Sequence, residues 1–278
     1  MLQLAYLLFP GRGSINMPIM SSLSGITGPE QIITNGLLLN LDAGNPSSYS
    51  GTGTAWNDLS GNGRNFSLFN SSYYSFSSSN KGSIGFTRTM PPTTEIGGYA
   101  DYTGSGALSA GTYLYNNHTT EIWAKINNKN PTLYDATEVV GALFVYSGYH
   151  AMFYYDNSLL TYNIWSGTST TQSTPSLTIG TSGTDIIEGQ WFHAVAVRSG
   201  NNLSSYINGN LKGTNIINTS GGVGGTTSTI RIGMGNPSNQ NYSWHIDANV
   251  SVSRMYNIAL SASEVSQNFN ALRGRYGI

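Results

Sequence analysis

Residues 191–214 read W-F-H-A-V-A-V-R-S-G-N-N-L-S-S-Y-I-N-G-N-L-K-G-T. Over the first eight, side chains alternate between a Trp191/His193/Val195/Val197 face and a Phe192/Ala194/Ala196/Arg198 face. Both faces are largely apolar, the pattern of a strand covered on two sides. Ser199-Gly200-Asn201-Asn202 supplies a tight loop, because Gly and Asn accept the positive φ of hairpin turns. Leu203, Ser205 and Ile207 then alternate with Ser204 and Tyr206. The strand ends at Asn208-Gly209, the strongest short-range hairpin signal. Such a stretch belongs at the centre of a β-sandwich.

The rest of the composition agrees. The 278 residues suffice for one large sandwich, and 38% hydrophobic with 12% aromatic residues can build its core. Charged residues are only 9%, against roughly 25% in ordinary soluble domains, so Asn, Ser, Thr and Gly must cover the surface. A formal charge of -1 gives no electrostatic case for nucleic acid or an anionic membrane. Without cysteine there are no disulfides and no thiolate metal sites.

Residues 1–34 read as an arm. Leu2 to Phe9 is an apolar run far short of the ~20 residues a membrane span needs. It has no basic residue before it and no small-residue cleavage site after it, which argues against a signal peptide. Pro10-Gly11, Pro18 and Gly28-Pro29 then deny the segment a long element. Either the coding start is Met17 or Met20, or the arm is an anchor that buries its apolar surface on a partner chain. The anchor is the reading taken.

Two further stretches carry a resemblance. N-G-L-L-L-N-L-D-A-G-N-P-S-S-Y at 35–49 and W-N-D-L-S-G-N-G at 56–63 stand at fixed spacing. At the other end lie I-D-A-N-V-S-V-S-R-M-Y-N at 246–257 and the tail Q-N-F-N-A-L-R-G-R-Y-G-I. With the hairpin at 191–214, they resemble laminin-G-like, concanavalin A-like jelly-roll domains of the kind found in tailed-bacteriophage structural proteins. The resemblance covers about residues 31–278. It implies an all-β, two-sheet antiparallel jelly-roll sandwich at 35–278, with one short C-terminal helix at about 261–273. Its fold serves lectins, glycosidases, adhesins and virion proteins, and names no function by itself.

The residues specify that helix independently. Ser261-Ala262-Ser263-Glu264 is a capping box, with Leu260 and Val265 at staple positions. Val265, Phe269 and Leu272 form one apolar stripe, and Gly274 is placed to end the helix. Between the matched ends, 119–126 alternates as a core strand, and 139–146, 149–155 and 159–165 form a meander. Residues 66–79 read as one strand and a loop, 93–116 as long loops, and 166–184 as a polar loop.

The search for chemistry finds little. Glycosidases of this fold class place alternating acids on one strand face, in an E-x-D-x-E pattern, and none occurs. Glu121 stands alone on its strand, Glu188 lies near a turn, and Glu264 is a cap. Asp42 and Asp58 lack the dense acidic loop that calcium favours, and Asp58 with Ser60 suits hydrogen bonds to its own turn. His118, His150, His193 and His245 have no zinc spacing, and His193 reads as a packed core residue. No catalytic residue, metal or cofactor is therefore assigned. Sugar binding is the live alternative, because exposed aromatics stack on pyranose faces beside Asn and Asp. The glycan candidates are Trp165, Tyr242 and Trp244.

The expectation is a non-enzymatic virion component of an extracellular phage particle: capsid decoration, neck, tail or fibre. Its partners are other virion proteins through the arm, further copies of itself as a homo-oligomer, and a surface glycan for host attachment. Nucleic acid and membrane insertion are not expected. The alternative is a free or cell-surface carbohydrate-binding lectin module.

Overall fold

The computed structural model describes residues 31–89, 96–102, 117–128, 139–146, 150–155, 159–164, 176–216, 229–235 and 244–278. The first strands are β1 (Leu37–Asp42), β2 (Ala55–Trp56), β3 (Phe66–Phe69), β4 (Tyr74–Ser77), β5 (Ser83–Phe86), β6 (Arg88–Thr89), β7 (Ile96–Gly97) and β8 (Tyr99–Tyr102). The long central strands are β9 (His118–Ile126), β10 (Val139–Tyr146), β11 (His150–Tyr155), β12 (Leu159–Ile164) and β13 (Ser176–Thr181). The chain continues through β14 (Phe192–Ser199), β15 (Asn202–Ile207), β16 (Asn210–Ile216), β17 (Ile230–Ile232) and β18 (Ala248–Tyr256), and closes on α1 (Ala262–Tyr276).

Two antiparallel sheets face each other. The first runs β16-β15-β14-β9-β18-β5-β4 with β1 also on β18, and the second runs β13-β12-β11-β10-β17-β8-β3-β2. The core between them takes one face of each strand: Ile122, Ala124 and Ile126 from β9, and Phe192, Ala194 and Ala196 from β14. The stretch 191–214 folds as three strands joined by two tight turns. Asn208 and Gly209 both have positive φ, 50° and 76°, as a type I′ turn requires. Gly209 has a second reason to be glycine, since a Cβ there would come within 3.0 Å of the Phe269 ring on α1.

The expected all-β jelly-roll class, the meander and the capped helix are all present. Four local readings change. Residues 66–79 make two strands, β3 and β4, around a 3-10 turn at Ser71–Tyr73. The expected loop at 93–116 contains β7 and β8, and that at 166–184 contains β13. In β13 the signal was Leu177 and Ile179, two apolar residues at period two, which enter the core among Ser and Thr. Finally, α1 runs through Gly274 to Tyr276, and Gly277, in the left-handed conformation, caps it instead. Burial of Tyr276 against Trp123, with ring centroids 4.2 Å apart, rewards the extra turn.

The outer face of the first sheet is covered by α1. Val195, Val197 and Tyr206 meet Leu260 and Val265, while Trp123 and Trp191 meet Phe269 and Tyr276. Beneath the helix lies Glu121, with no exposure. Arg254 Nη1 donates to its Oε1 at 2.7 Å, and Asn268 Nδ2 donates to its Oε2 at 2.7 Å. His193 Nε2 lies 3.2 Å from Oε1, its ring stacked on Trp123 with centroids 4.7 Å apart. The network extends outward: Arg254 Nε donates to Asn40 Oδ1 on β1, and the Asn268 Oδ1 accepts the Ile33 amide. Burial by itself would raise the Glu121 carboxyl. The Arg254 charge, His193 and the Asn268 hydrogen bond outweigh it and hold the carboxyl down at about 2, from an ordinary 4.5.

Three consequences can be measured. Glu121→Ala leaves Arg254 buried without a counter-charge and is expected to cost about 3–5 kcal/mol in urea unfolding, whereas Glu121→Leu with Arg254→Met recovers most of that loss. Gly274→Ala, at a helical position with open space around it, raises stability by about 0.5–1 kcal/mol. Stability also falls on the acid side in two limbs. His245, pushed down by burial from 6.5 to about 4, is neutral in the fold, so stability declines as pH falls from 6.5 towards 4. Glu121, depressed in the fold, contributes fully above its ordinary 4.5 and loses that contribution as pH falls towards 2. Thermal melts against pH should show both limbs, and His245→Asn should remove the upper one.

Candidate functional site

Of the three residues singled out for glycan stacking, Trp165 and Tyr242 lie outside the described residues. Trp244 is half-buried and has a left-handed φ of 51°, which a bulky residue rarely adopts. Its ring lies over Gly235, where a Cβ would come within 2.5 Å of Cε3, and its carbonyl accepts the Ala142 amide at 2.9 Å. That geometry packs the indole against backbone at the sandwich edge.

Asp58, Glu264 and Asp101 each have a structural partner. Asp58 accepts from the Asn40, Ser60 and Arg64 amides and from the Ser60 hydroxyl at 2.7–3.1 Å, and so closes its own turn. Glu264 completes the capping box with Ser261. Asp101 pairs with Arg231, Oδ2 to Nε 3.5 Å, on the second sheet; burial raises its carboxyl while the Arg231 charge opposes the rise. Among the described residues no cluster of three or more His, Asp or Glu is placed to hold a metal ion.

A concave site does form where two strands meet end to end on β18. Val252 of β18 pairs with Asp42 at the end of β1, whereas Val250 pairs with Ile84 of β5. Between them, at Ser251, the register of β18 against β9 shifts by a bulge. The Ser251 hydroxyl donates to the Gly82 carbonyl at 2.8 Å and accepts from the Tyr276 hydroxyl at 2.8 Å. The turn into β5 must approach β1 closely: a Cβ on Gly82, whose φ is +61°, would lie 2.3 Å from the Gly44 Cα. Lys81 before it is also left-handed, φ 65°, an uncommon conformation for a residue with a side chain.

The gap beside this junction is a cleft of about 390 Å³. Pro46, Tyr49 and Phe76 line it with apolar surface, and Lys81 and Arg275 are the charged residues of its wall. Tyr49 and Phe76 form a tilted pair with ring centroids 5.2 Å apart, and the Tyr49 hydroxyl donates to the Gly53 carbonyl. Arg275, from the last turn of α1, forms a two-pronged pair with Asp42 at 2.7 Å on each oxygen. Burial opposes the guanidinium charge, but the hydrogen bonds and charge of Asp42 overcome it and raise Arg275 further. Asp42 is thus neutralised, Lys81 is exposed, and the lining contains no carboxylate. The arrangement is suited to holding a ring against Phe76 with a cation at its rim. Sequence reasoning missed it because residues 42–51, 76–82 and 275 meet only after both chain ends dock on β18.

The comparisons bear on this fold. A laminin-G-type family model, described as the concanavalin A-like lectin/glucanases superfamily, matches residues 97–266, more than half of the chain. No curated protein matches it. Among solved structures it is similar to the binding domain of botulinum neurotoxin DC in complex with SialylT, at 13% identity and a TM-score of 0.60, covering 86% of this chain and 52% of that one. A botulinum neurotoxin type C structure matches at 14% identity and 0.62, again covering 86% and 52%. The binding domain of Paraclostridial Mosquitocidal Protein 1 matches at 16% and 0.63, with the same coverage. The chain spans about half the length of these proteins, and at such identities the likeness is one of fold. On the family match together with the two-sheet antiparallel architecture, the chain belongs to the concanavalin A-like lectin/glucanases superfamily.

Proposed function

We propose that the chain is a non-enzymatic structural component of a phage particle, in a capsid decoration, neck, tail or fibre. Residues 1–34 join it to other virion proteins, and residues 35–278 form an outward module with a lectin-like surface for host attachment. The phage context rests on the motif resemblance at 35–63 and 246–278. The observation that carries the mechanics is the layout of α1. At its middle, Asn268 accepts the Ile33 amide and Gln267 donates to the Gln31 carbonyl, so the end of the arm is fastened there. At its far end Arg275 lines the cleft. Tether and binding surface are therefore held on one rigid rod, about 12 Å apart along its axis. A non-catalytic role is supported by the acids, since Glu121, Asp42, Asp58 and Glu264 are all occupied by structural donors.

The second reading, a free or cell-surface lectin, is favoured by the aromatic cleft. It is also favoured by the similar neurotoxin structures, one a binding domain in complex with SialylT and the other from a toxin whose cell entry depends on interaction with two ganglioside molecules. Deleting residues 1–20 separates the two. As a virion component the truncated chain should lose incorporation into particles while its melting temperature stays within a few degrees of the full chain. Normal assembly of the truncated chain sinks the anchor. Release of reducing sugar from any polysaccharide would sink the non-enzymatic reading.

A further inference from the structure

The ends of β1 and β5, abutting on β18, leave the cleft with an unusual charge inventory for this chain. Only 9% of its residues are charged, yet two cations share one small cleft whose lining has no carboxylate. Arg275 is committed to Asp42 by two hydrogen bonds, which cancels one charge and fixes the guanidinium in place. Lys81 is left as the exposed cation of the rim. Its position is also conformationally costly, because φ 65° disfavours a residue with a Cβ and Gly or Asn would sit there with less strain. Strain held at the lip of a cleft is where a ligand-binding side chain is looked for. Beside the cations the lining includes the half-buried Phe76 ring, Tyr49 and Pro46.

From this juxtaposition we infer that the cleft binds an acidic saccharide, a pyranose carrying a carboxylate. The sugar's apolar face stacks on Phe76, the carboxylate pairs with Lys81, and Ser50, Ser78 and exposed backbone around Gly44 meet the hydroxyls. The carboxylate is the part of the ligand the site selects, because a neutral sugar leaves Lys81 unused. A cleft of about 390 Å³ has room for one or two sugar rings, so the site reads a terminal residue or a short segment. The inference deepens the attachment role proposed above and rests on it for its biological sense, though not for its chemistry.

The test uses the full chain and five immobilised probes: sialyllactose and tri-galacturonate as acidic arms, the same two saccharides with their carboxyls reduced to alcohols, and lactose as a neutral arm. Binding is expected in at least one acidic arm, with its reduced partner and lactose weaker by about fivefold or more, and with affinity falling as salt rises. Lys81→Asn keeps a residue that tolerates the left-handed conformation, so the fold should be unharmed, and it should weaken the acidic arm by about fivefold. Phe76→Leu keeps apolar packing but removes the ring, and should weaken binding by about threefold to tenfold. Equal affinity for acidic and reduced saccharides overturns the inference while leaving a sugar-binding module. Acidic binding untouched by both variants overturns it for this cleft. Displacement by poly-glutamate at equal carboxylate concentration overturns it by showing a mere cation. Failure of every probe overturns it too, and leaves the particle role to the incorporation experiment, which does not depend on sugar.

Discussion

A carboxylate with no exposure to water sits under the C-terminal helix, and its ionised form is tolerable only because Arg254, Asn268 and His193 converge on it. Those three partners come from the closing strand, the helix and the central hairpin. The first sheet supplies two of them, and only the docked helix supplies the third. Desolvating Glu121 without Arg254 would be prohibitive, so β18 must lie beside β9 in the observed register, with Arg254 opposite Glu121. Leaving the pair half-covered would waste its geometry, so α1 must dock with Asn268 facing inward. From Arg254 the same network reaches Asn40, and through it Asp58, which organises the turn after β1. The two ends of the chain are in this way tied to one buried charge.

That tie has a functional by-product. With β1 and β5 both paired to β18, one after the other, a junction is unavoidable, and the bulge at Ser251 marks it. The Ser251 hydroxyl couples Tyr276 to the Gly82 turn, and Arg275 clamps Asp42 across the same gap. What remains unfilled is the cleft. Its walls are rigid because each wall element also has a structural duty, which is the condition for holding a small ligand with little ordering cost. The arm's last residues, at the middle of α1, report to the same scaffold through Asn268.

Much of this was readable in the chain as written. The two faces of β14, the type I′ turn at Asn208-Gly209, the capping box and the stripe of α1 follow from local rules, because period-two and period-3.6 burial leave direct marks on residue order. The elements that escaped were those with weak marks: β8, β13 and the extra turn of α1 beyond Gly274. There the tertiary reward, a core position for Leu177 and Ile179 or a stacking partner for Tyr276, outweighs poor local propensity. Glu121 left one clue, an acid beside Ile122, Trp123 and Ala124 in a core strand. A second was Asn268 beside the helix stripe. Neither reveals a partner by itself.

Alternation, turn chemistry and caps sufficed to establish a β-sandwich with one covering helix, since each depends on residues a few positions apart. Which acid becomes a buried counter-ion, which aromatic lines a cleft and which merely packs on a glycine depend on contacts between residues far apart in sequence, such as Glu121 with Arg254 or Asp42 with Arg275. Trp244, exposed by composition alone, is committed to the backbone of Gly235, while the inconspicuous Phe76 and Lys81 face a cleft. Only the docking of strands and helix decides such pairings, because desolvation and charge act through space and leave no period in the sequence.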